Sequence, residues 1–196
     1  MKVIGVTGGT GSGKSTVSKI LAENGAVVLD ADKISKELQR PGTKTFKKIV
    51  KAFGDDVVSE NGELNRKKLA EIIFNDHEKR ILMNGIVHKE VARVFRERLK
   101  TLEDAGTKVC VLDVPIPTEE GFFELVNSVW AVVANDDIRI ERIMARSGMT
   151  EEEAERRIAS QLSNREYEEI ADVVIENERS REELEKLVKY ELERCL

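Results

Sequence analysis

Long apolar runs are missing from this sequence. No stretch approaches the roughly 20 consecutive apolar residues of a membrane span, and the first run, Lys2 to Thr7, gives way at once to glycines. Neither a membrane anchor nor a signal peptide is therefore expected. Cysteine is scarce. Cys110 lies inside an apolar run and Cys195 beside the C-terminus, so no disulfide framework is expected and a reducing, cytoplasmic setting fits. With only two histidines, no His/Cys cluster has the spacing of a metal site. An excess of positive charge is also lacking. The formal net charge of −5 argues against non-specific binding to nucleic acid or to an acidic membrane, so any anionic ligand must be held by local basic clusters. There are no internal repeats or low-complexity tracts. What remains is 196 residues, 40% of them hydrophobic, enough for one compact unit or a core carrying one insertion.

The most informative stretch is Gly8-Gly9-Thr10-Gly11-Ser12-Gly13-Lys14-Ser15-Thr16. It matches G-x-x-x-x-G-K-[ST], with a strand-like run before it and helical spacing of Val17, Ile20 and Leu21 after it, the context that the phosphate-binding motif requires. Glycines let the backbone curl so that successive N–H groups point inward at phosphate oxygens. The following helix adds partial positive charge at the same spot. Lys14 supplies a full charge for the β- and γ-phosphates, and the Ser15 hydroxyl is placed to ligate Mg²⁺. A nucleoside triphosphate is the expected ligand.

Ala26-Val27-Val28-Leu29 reads as a second short strand ending in Asp30-Ala31-Asp32. Ligands of open α/β sheets bind outside the carboxyl ends of the strands, which makes Asp32 a candidate for chemistry. The alternative is that Asp32 caps the next helix. From Lys33 to Ala105 helical spacing takes over: Phe46, Ile49, Val50 and Phe53 form one apolar stripe, and Val87, Val91, Val94, Phe95, Leu99 and Leu102 another. That is far more than the dozen or so residues a crossover between parallel strands needs. It reads as an inserted helical subdomain, the natural place for a second substrate. His88 lies beside the longer stripe, as a packed histidine or a ligand contact.

Lys108 to Asp113 is a third strand, four apolar residues followed by an acid. It resembles the segment whose Asp reaches Mg²⁺ directly or through water. Pro115 and Pro117 then hold an extended loop. Ser128 to Ala134 and Asp172 to Ile175 are the fourth and fifth strands. Between them Arg139, Arg142 and Arg146 share one helix face, either solvated and neutralised by nearby acids or gathered to bind phosphate. Thr150 with Glu153, Ser163 with Glu166 and Ser180 with Glu183 have capping-box spacing. The first two boxes open short helices that look like a lid, from which Arg157 and Gln161 could face the nucleotide.

Together these parts describe a small α/β kinase: a three-layer P-loop NTPase fold with a five-stranded parallel sheet, a helical substrate subdomain and a helical lid. The expected division is a core of 1–32, 106–138 and 167–196, an insertion at 33–105 and a lid at 139–166. A GTP-binding switch would need Asn-Lys-x-Asp after a strand, and Asn135-Asp136-Asp137-Ile138 lacks the lysine. A kinase for another small hydroxyl acceptor and a non-catalytic ATP-binding regulator stay open at this point.

Over nearly its whole length the sequence resembles the dephospho-CoA kinase family. The resemblance rests on the phosphate loop, on Asp30-Ala31-Asp32, on Gly62-Glu63-Leu64-Asn65-Arg66 with Leu69 and Phe74, and on Ile86-Val87-His88. It extends through Asp113-Val114-Pro115, Arg142 to Arg146, Arg156 to Gln161 and Ala171 to Asn177. The sequence departs from the family pattern at Thr10, Lys89, Ile116-Pro117 and Glu178-Arg179. The resemblance implies transfer from ATP, with Mg²⁺, to the ribose 3′-hydroxyl of 3′-dephospho-CoA. It implies catalysis by Asp32, Lys14, Arg142 and Arg146, and ATP binding by residues Gly9 to Thr16 with Arg142, Arg146 and Asn177. Acceptor contacts would come from Asp32, His88, Arg66 and Pro115, and the metal would sit on Ser15, with Asp113 through water. The only partner expected is the small-molecule substrate, for a monomer or small homo-oligomer.

Overall fold

In the computed structural model, which describes residues 1–196 with the side chain of Glu120 excepted, the elements run β1 (Lys2–Thr7), α1 (Lys14–Glu23), β2 (Val27–Asp30), α2 (Ala31–Leu38), α3 (Lys44–Phe53), α4 (Arg66–Asn75), α5 (His77–Asp104), β3 (Val109–Asp113), β4 (Ser128–Val133), α6 (Asp136–Ser147), α7 (Glu151–Ala159), α8 (Asn164–Glu169), β5 (Val173–Glu176) and α9 (Arg181–Cys195). The five strands form one sheet in the order β2-β3-β1-β4-β5, every pairing parallel. β3 and β4 are buried at every position, and β1 at all but its first. Sheets covered by helices on both faces call for such unbroken apolar runs.

Alternation along the strands sends side chains to two cores. On one face Ile4, Val6, Val111, Trp130, Val132 and Ile175 pack against Val17, Ile20 and Leu21 of α1 and Leu184, Val188 and Leu192 of α9. On the other, Val3, Cys110, Leu112 and Val129 meet Ile34 of α2, Phe95 and Leu99 of α5, and Phe122. Each large apolar side chain fully buried in this way contributes about 1.5–3 kcal/mol. Phe122 comes from a π-type turn, Glu119–Phe123, in a loop that reads from sequence as merely extended.

Helices α3, α4 and α5 enclose a further apolar cluster of Ile49, Val57, Leu64, Leu69 and Val87. α5 joins it to the sheet, because half-buried Val91 packs against both clusters. α6 and α7 meet through Ile143, Ala154 and Ile158. All three sequence capping boxes form, opening α7, α8 and α9. Asn24 occupies the C-cap of α1, one position earlier than a cap at Gly25, which follows it with φ +92°. Among the described residues no helix is long and apolar enough to cross a membrane.

Candidate active site

The phosphate loop lies where β1 ends, at the centre of the sheet. Gly13 is the N-cap of α1, with φ +92°, a conformation other residues resist. A Cβ there would lie 1.9 Å from Asn177 Nδ2, so backbone shape and close packing both demand glycine. That Asn177 amide donates to the Ser12 carbonyl at 2.7 Å. Ser12 turns its own hydroxyl into the protein, fully buried.

Arg139 does not share a phosphate-facing surface with Arg142 and Arg146, as its helical spacing suggests. It is 1% exposed and lies beneath the loop. Its Nε donates to the Thr10 carbonyl at 3.0 Å, and its Nη1 to Asp136 Oδ1 at 2.9 Å. A Cβ on Gly9 would lie 2.3 Å from its Nη2, and one on Gly11 2.7 Å from its carbonyl oxygen. Spacing tells which residues share a stripe, but not how deep the stripe is sunk. The Thr10 N–H donates to Gln161 Oε1 at 2.8 Å, so the segment after α7 grips the loop from the other side. Thr10, the loop's departure from the family pattern, is thus held by both its backbone groups.

In front of the loop opens a cleft of about 340 Å³. Its walls carry Lys14, Ser15, Arg142, Arg146 and Arg157 against Asp30, Asp32 and Asp113. Arg142 is held in place by bonds from Nη1 to the Gly11 carbonyl at 3.2 Å and from Nη2 to the Asn177 carbonyl at 2.9 Å. Lys14 pairs with Asp113, which also accepts from the Ser18 hydroxyl at 2.7 Å. Burial pulls the Lys14 ammonium below the usual lysine range, and the charges of Asp32 and Asp30 oppose that shift. A desolvated cation of this kind gains from an arriving polyanion.

Next to the cleft is an apolar slot of about 160 Å³, lined by Val87, Val91, Phe95 and Phe122 with Ser35 and His88. Asp32 and Pro115 border both spaces. Asp30, not Asp32, caps α2: its carboxylate accepts the Lys33 N–H at 3.0 Å. Asp32, one residue into the helix, is left exposed. Burial lowers the pKa of His88, favouring the neutral ring. The Pro115 carbonyl accepts from the hydroxyl of buried Tyr167 at 3.1 Å, which ties the slot to α8.

Three expected residues lie apart. Thr16 and Asn177 line a different cleft, of about 310 Å³, together with Arg142, Arg179 and Arg181. Arg66 is in neither the slot nor the cleft; it lies in a groove with Lys36 and Arg40. Sequence reasoning overlooked Ser18, Tyr167 and Phe122. Only the apolar character of Phe122 hinted at its place, and neither hydroxyl carries a sequence signal.

The family model for dephospho-CoA kinase matches residues 2–183. A dephospho-CoA kinase of Geobacillus kaustophilus is 44% identical over 180 residues, 92% of this chain and 90% of that one. Among solved structures, a Thermus thermophilus protein superimposes with a TM-score of 0.83 at 33% identity, covering 100% of this chain and 98% of that one. A dephospho-CoA kinase from Campylobacter jejuni does so with a TM-score of 0.72 at 25% identity, covering 99% and 97%. The matched range spans the first strand, the phosphate loop, the slot and α6, and the chain belongs to the dephospho-CoA kinase family.

Proposed function

We propose that the chain transfers the γ-phosphoryl group of ATP to the ribose 3′-hydroxyl of 3′-dephospho-CoA, giving coenzyme A and ADP, the last step of coenzyme A synthesis. The observation that carries this reading is the shared border. Asp32 stands between a cationic cleft at the phosphate loop and an apolar slot, where a donor phosphate and an acceptor hydroxyl can meet.

Phosphoryl transfer needs mainly positioning and charge neutralisation. The backbone N–H groups from Gly9 to Thr16 cradle the phosphates, and Lys14, Arg142 and Arg146 neutralise charge on the β- and γ-phosphates. Thr16 and Asn177 flank the second cleft, which suits the nucleoside end of ATP. As the acceptor oxygen bonds to the γ-phosphorus and the bond to the bridging oxygen breaks, Asp32 takes the 3′-hydroxyl proton. His88, Pro115 and Arg66 are assigned to the acceptor.

The donor set fits Mg²⁺. Ser15 is exposed in the cleft, Asp113 lies on the same wall, and among the described residues there is no all-protein cage of three or more ligands. Mg²⁺ characteristically takes one or two protein oxygens and completes its shell with phosphates and water. When bound it would neutralise charge on the β- and γ-phosphates. Residues 33–105 serve as the acceptor subdomain and 139–166 as the lid, in a cytoplasmic monomer or small homo-oligomer.

A coupled ADP-release assay with dephospho-CoA beside AMP, CMP, adenosine, shikimate and pantothenate tests the reading. Turnover with dephospho-CoA, well above the rest, is expected. Turnover with another acceptor but none with dephospho-CoA would refute it.

A further inference from the structure

Among the described residues Asp32 and Pro115 alone border both the cleft and the slot, so the place where donor and acceptor meet is bounded by these two. Asp32 is fixed by α2, through the cap at Asp30 and the buried Ile34. Pro115 stands on a stiff run. The Val114 N–H donates to the Val6 carbonyl at 3.0 Å, but beyond it Pro115 and Pro117 have no N–H to give. Val114 and Ile116 each precede a proline and are biased toward extended backbone, while the rings lock φ at 115 and 117. A segment with so few soft torsions moves as a unit, and a bond at the Pro115 carbonyl sets where the Pro115 ring lies.

That bond comes from Tyr167. Its side chain is 1% exposed, packs with Ala131 and Val133 of β4, and donates its hydroxyl to the Pro115 carbonyl at 3.1 Å. Burial pushes the hydroxyl above the usual tyrosine range, against the pull of the Arg139 charge, so it is protonated and donates at neutral pH. Packing alone does not call for that hydroxyl. The neighbours Ala131, Val133, Leu162, Ile170 and Ala171 are all apolar, and a phenylalanine would suit them. The same stretch of chain also holds the donor side. Gln161 accepts from the Thr10 N–H of the phosphate loop, and Asn164 donates to the Ala134 carbonyl just after β4, both at 2.8 Å. Phosphate loop and Pro115 are thus referred to one frame, residues 161–167, seated on β4.

Resting on the dephospho-CoA kinase reading, we infer that Tyr167 is a positioning residue for phosphoryl transfer, whose hydroxyl holds Pro115 so that the acceptor 3′-hydroxyl stays in line with the γ-phosphate. Tyr167 lines neither the cleft nor the slot and acts through Pro115. Loss of the hydroxyl leaves the phosphate cradle and the slot lining in place and loosens their alignment. Alignment weighs on rate: a misplacement of about 1 Å can cost on the order of 100-fold.

The test is single-turnover transfer by the parent, Tyr167→Phe and Tyr167→Leu, with steady-state KM values and thermal melts alongside. Tyr167→Phe keeps the ring and removes the hydroxyl. Its transfer rate should fall about tenfold, with KM for ATP and for dephospho-CoA within about twofold and Tm within about 4 °C of the parent. Tyr167→Leu removes the ring as well. It should lower Tm further yet slow transfer by no more than about twofold beyond Tyr167→Phe, because rate follows the hydroxyl and Tm the ring. A Tyr167→Phe rate within about threefold of the parent overturns the proposal. So does a rise in either KM as large as the loss in rate, or a rate that falls in step with Tm across the two variants. If Tyr167→Leu does not fold, Tyr167→Phe decides alone. No transfer to dephospho-CoA by the parent would sink the family reaction and this role with it, an outcome read from the parent and distinct from the others.

Discussion

Replacing Asp32 with asparagine keeps its size and reach while removing the charge that can accept a proton. Under the proposed mechanism Asp32→Asn lowers kcat at least about 100-fold, the usual loss for a general base, and ATP affinity measured by titration changes little. A near-normal kcat would reduce Asp32 to a wall residue. Glu90 gives a pH signature. It is almost buried in α5 and bonded to Lys48 and Arg93, whose hydrogen bonds hold its carboxyl below the usual carboxylate range. A depressed pKa means that the unfolded chain binds the proton more readily, so this stabilisation is present above the unfolded value and is lost as pH falls through the folded one. Glu90→Gln should therefore cost about 1 kcal/mol near pH 7, a modest value because both partners are half exposed. The difference from the parent should close as pH drops below about 4.5, which denaturant melts across pH would reveal. The roles of Asp30 and Asp32 show the limit of sequence reading at this scale. Both residues were evident as acids at a strand end, but only the backbone decides which of them caps the helix.

Helix α6 stands in a different relation to the phosphate loop than its sequence suggests. Arg139→Ala removes a fully buried side chain and its bond to Thr10. The lost packing and charged hydrogen bond together should cost about 2 kcal/mol, a fall in Tm of about 4–8 °C for a chain of this length. KM for ATP should rise as well, because the loop loses its support. A melt that shifts with no change in KM would make Arg139 purely structural. Local elements were the easiest to read. Strand–loop–helix at the N-terminus and the three capping boxes depend on residues within a few positions of each other, and all are present. The π-type turn that buries Phe122 has no periodic signature, and the depth of Arg139 depends on glycines some 130 residues away.

At the scale of the whole molecule, the apolar cluster of α3, α4 and α5 is separate from those on the sheet but shares α5 with them. Leu69→Ala, in the middle of that cluster, should cost about 2–4 kcal/mol. Its kinetic effect should fall on the acceptor, with KM for dephospho-CoA raised, while ATP binding by calorimetry stays within about twofold. Equal damage to both substrates would mean that the helical excursion and the nucleotide cleft are one unit. The meeting of Asp32, His88 and Pro115 around one slot was open to sequence reading only through family resemblance. Those residues come from α2, α5 and the loop after β3, and topology alone brings them together.

The packing of Arg139 against Gly9 and Gly11 bears on how such kinases can be recombined. A phosphate loop grafted from another protein with side chains at those two positions would collide with the guanidinium and backbone below it. A foreign α6 with a short residue at position 139 would leave the native loop over a void. Loop and helix are therefore interchangeable between relatives only as a matched pair, although two-thirds of the chain separates them.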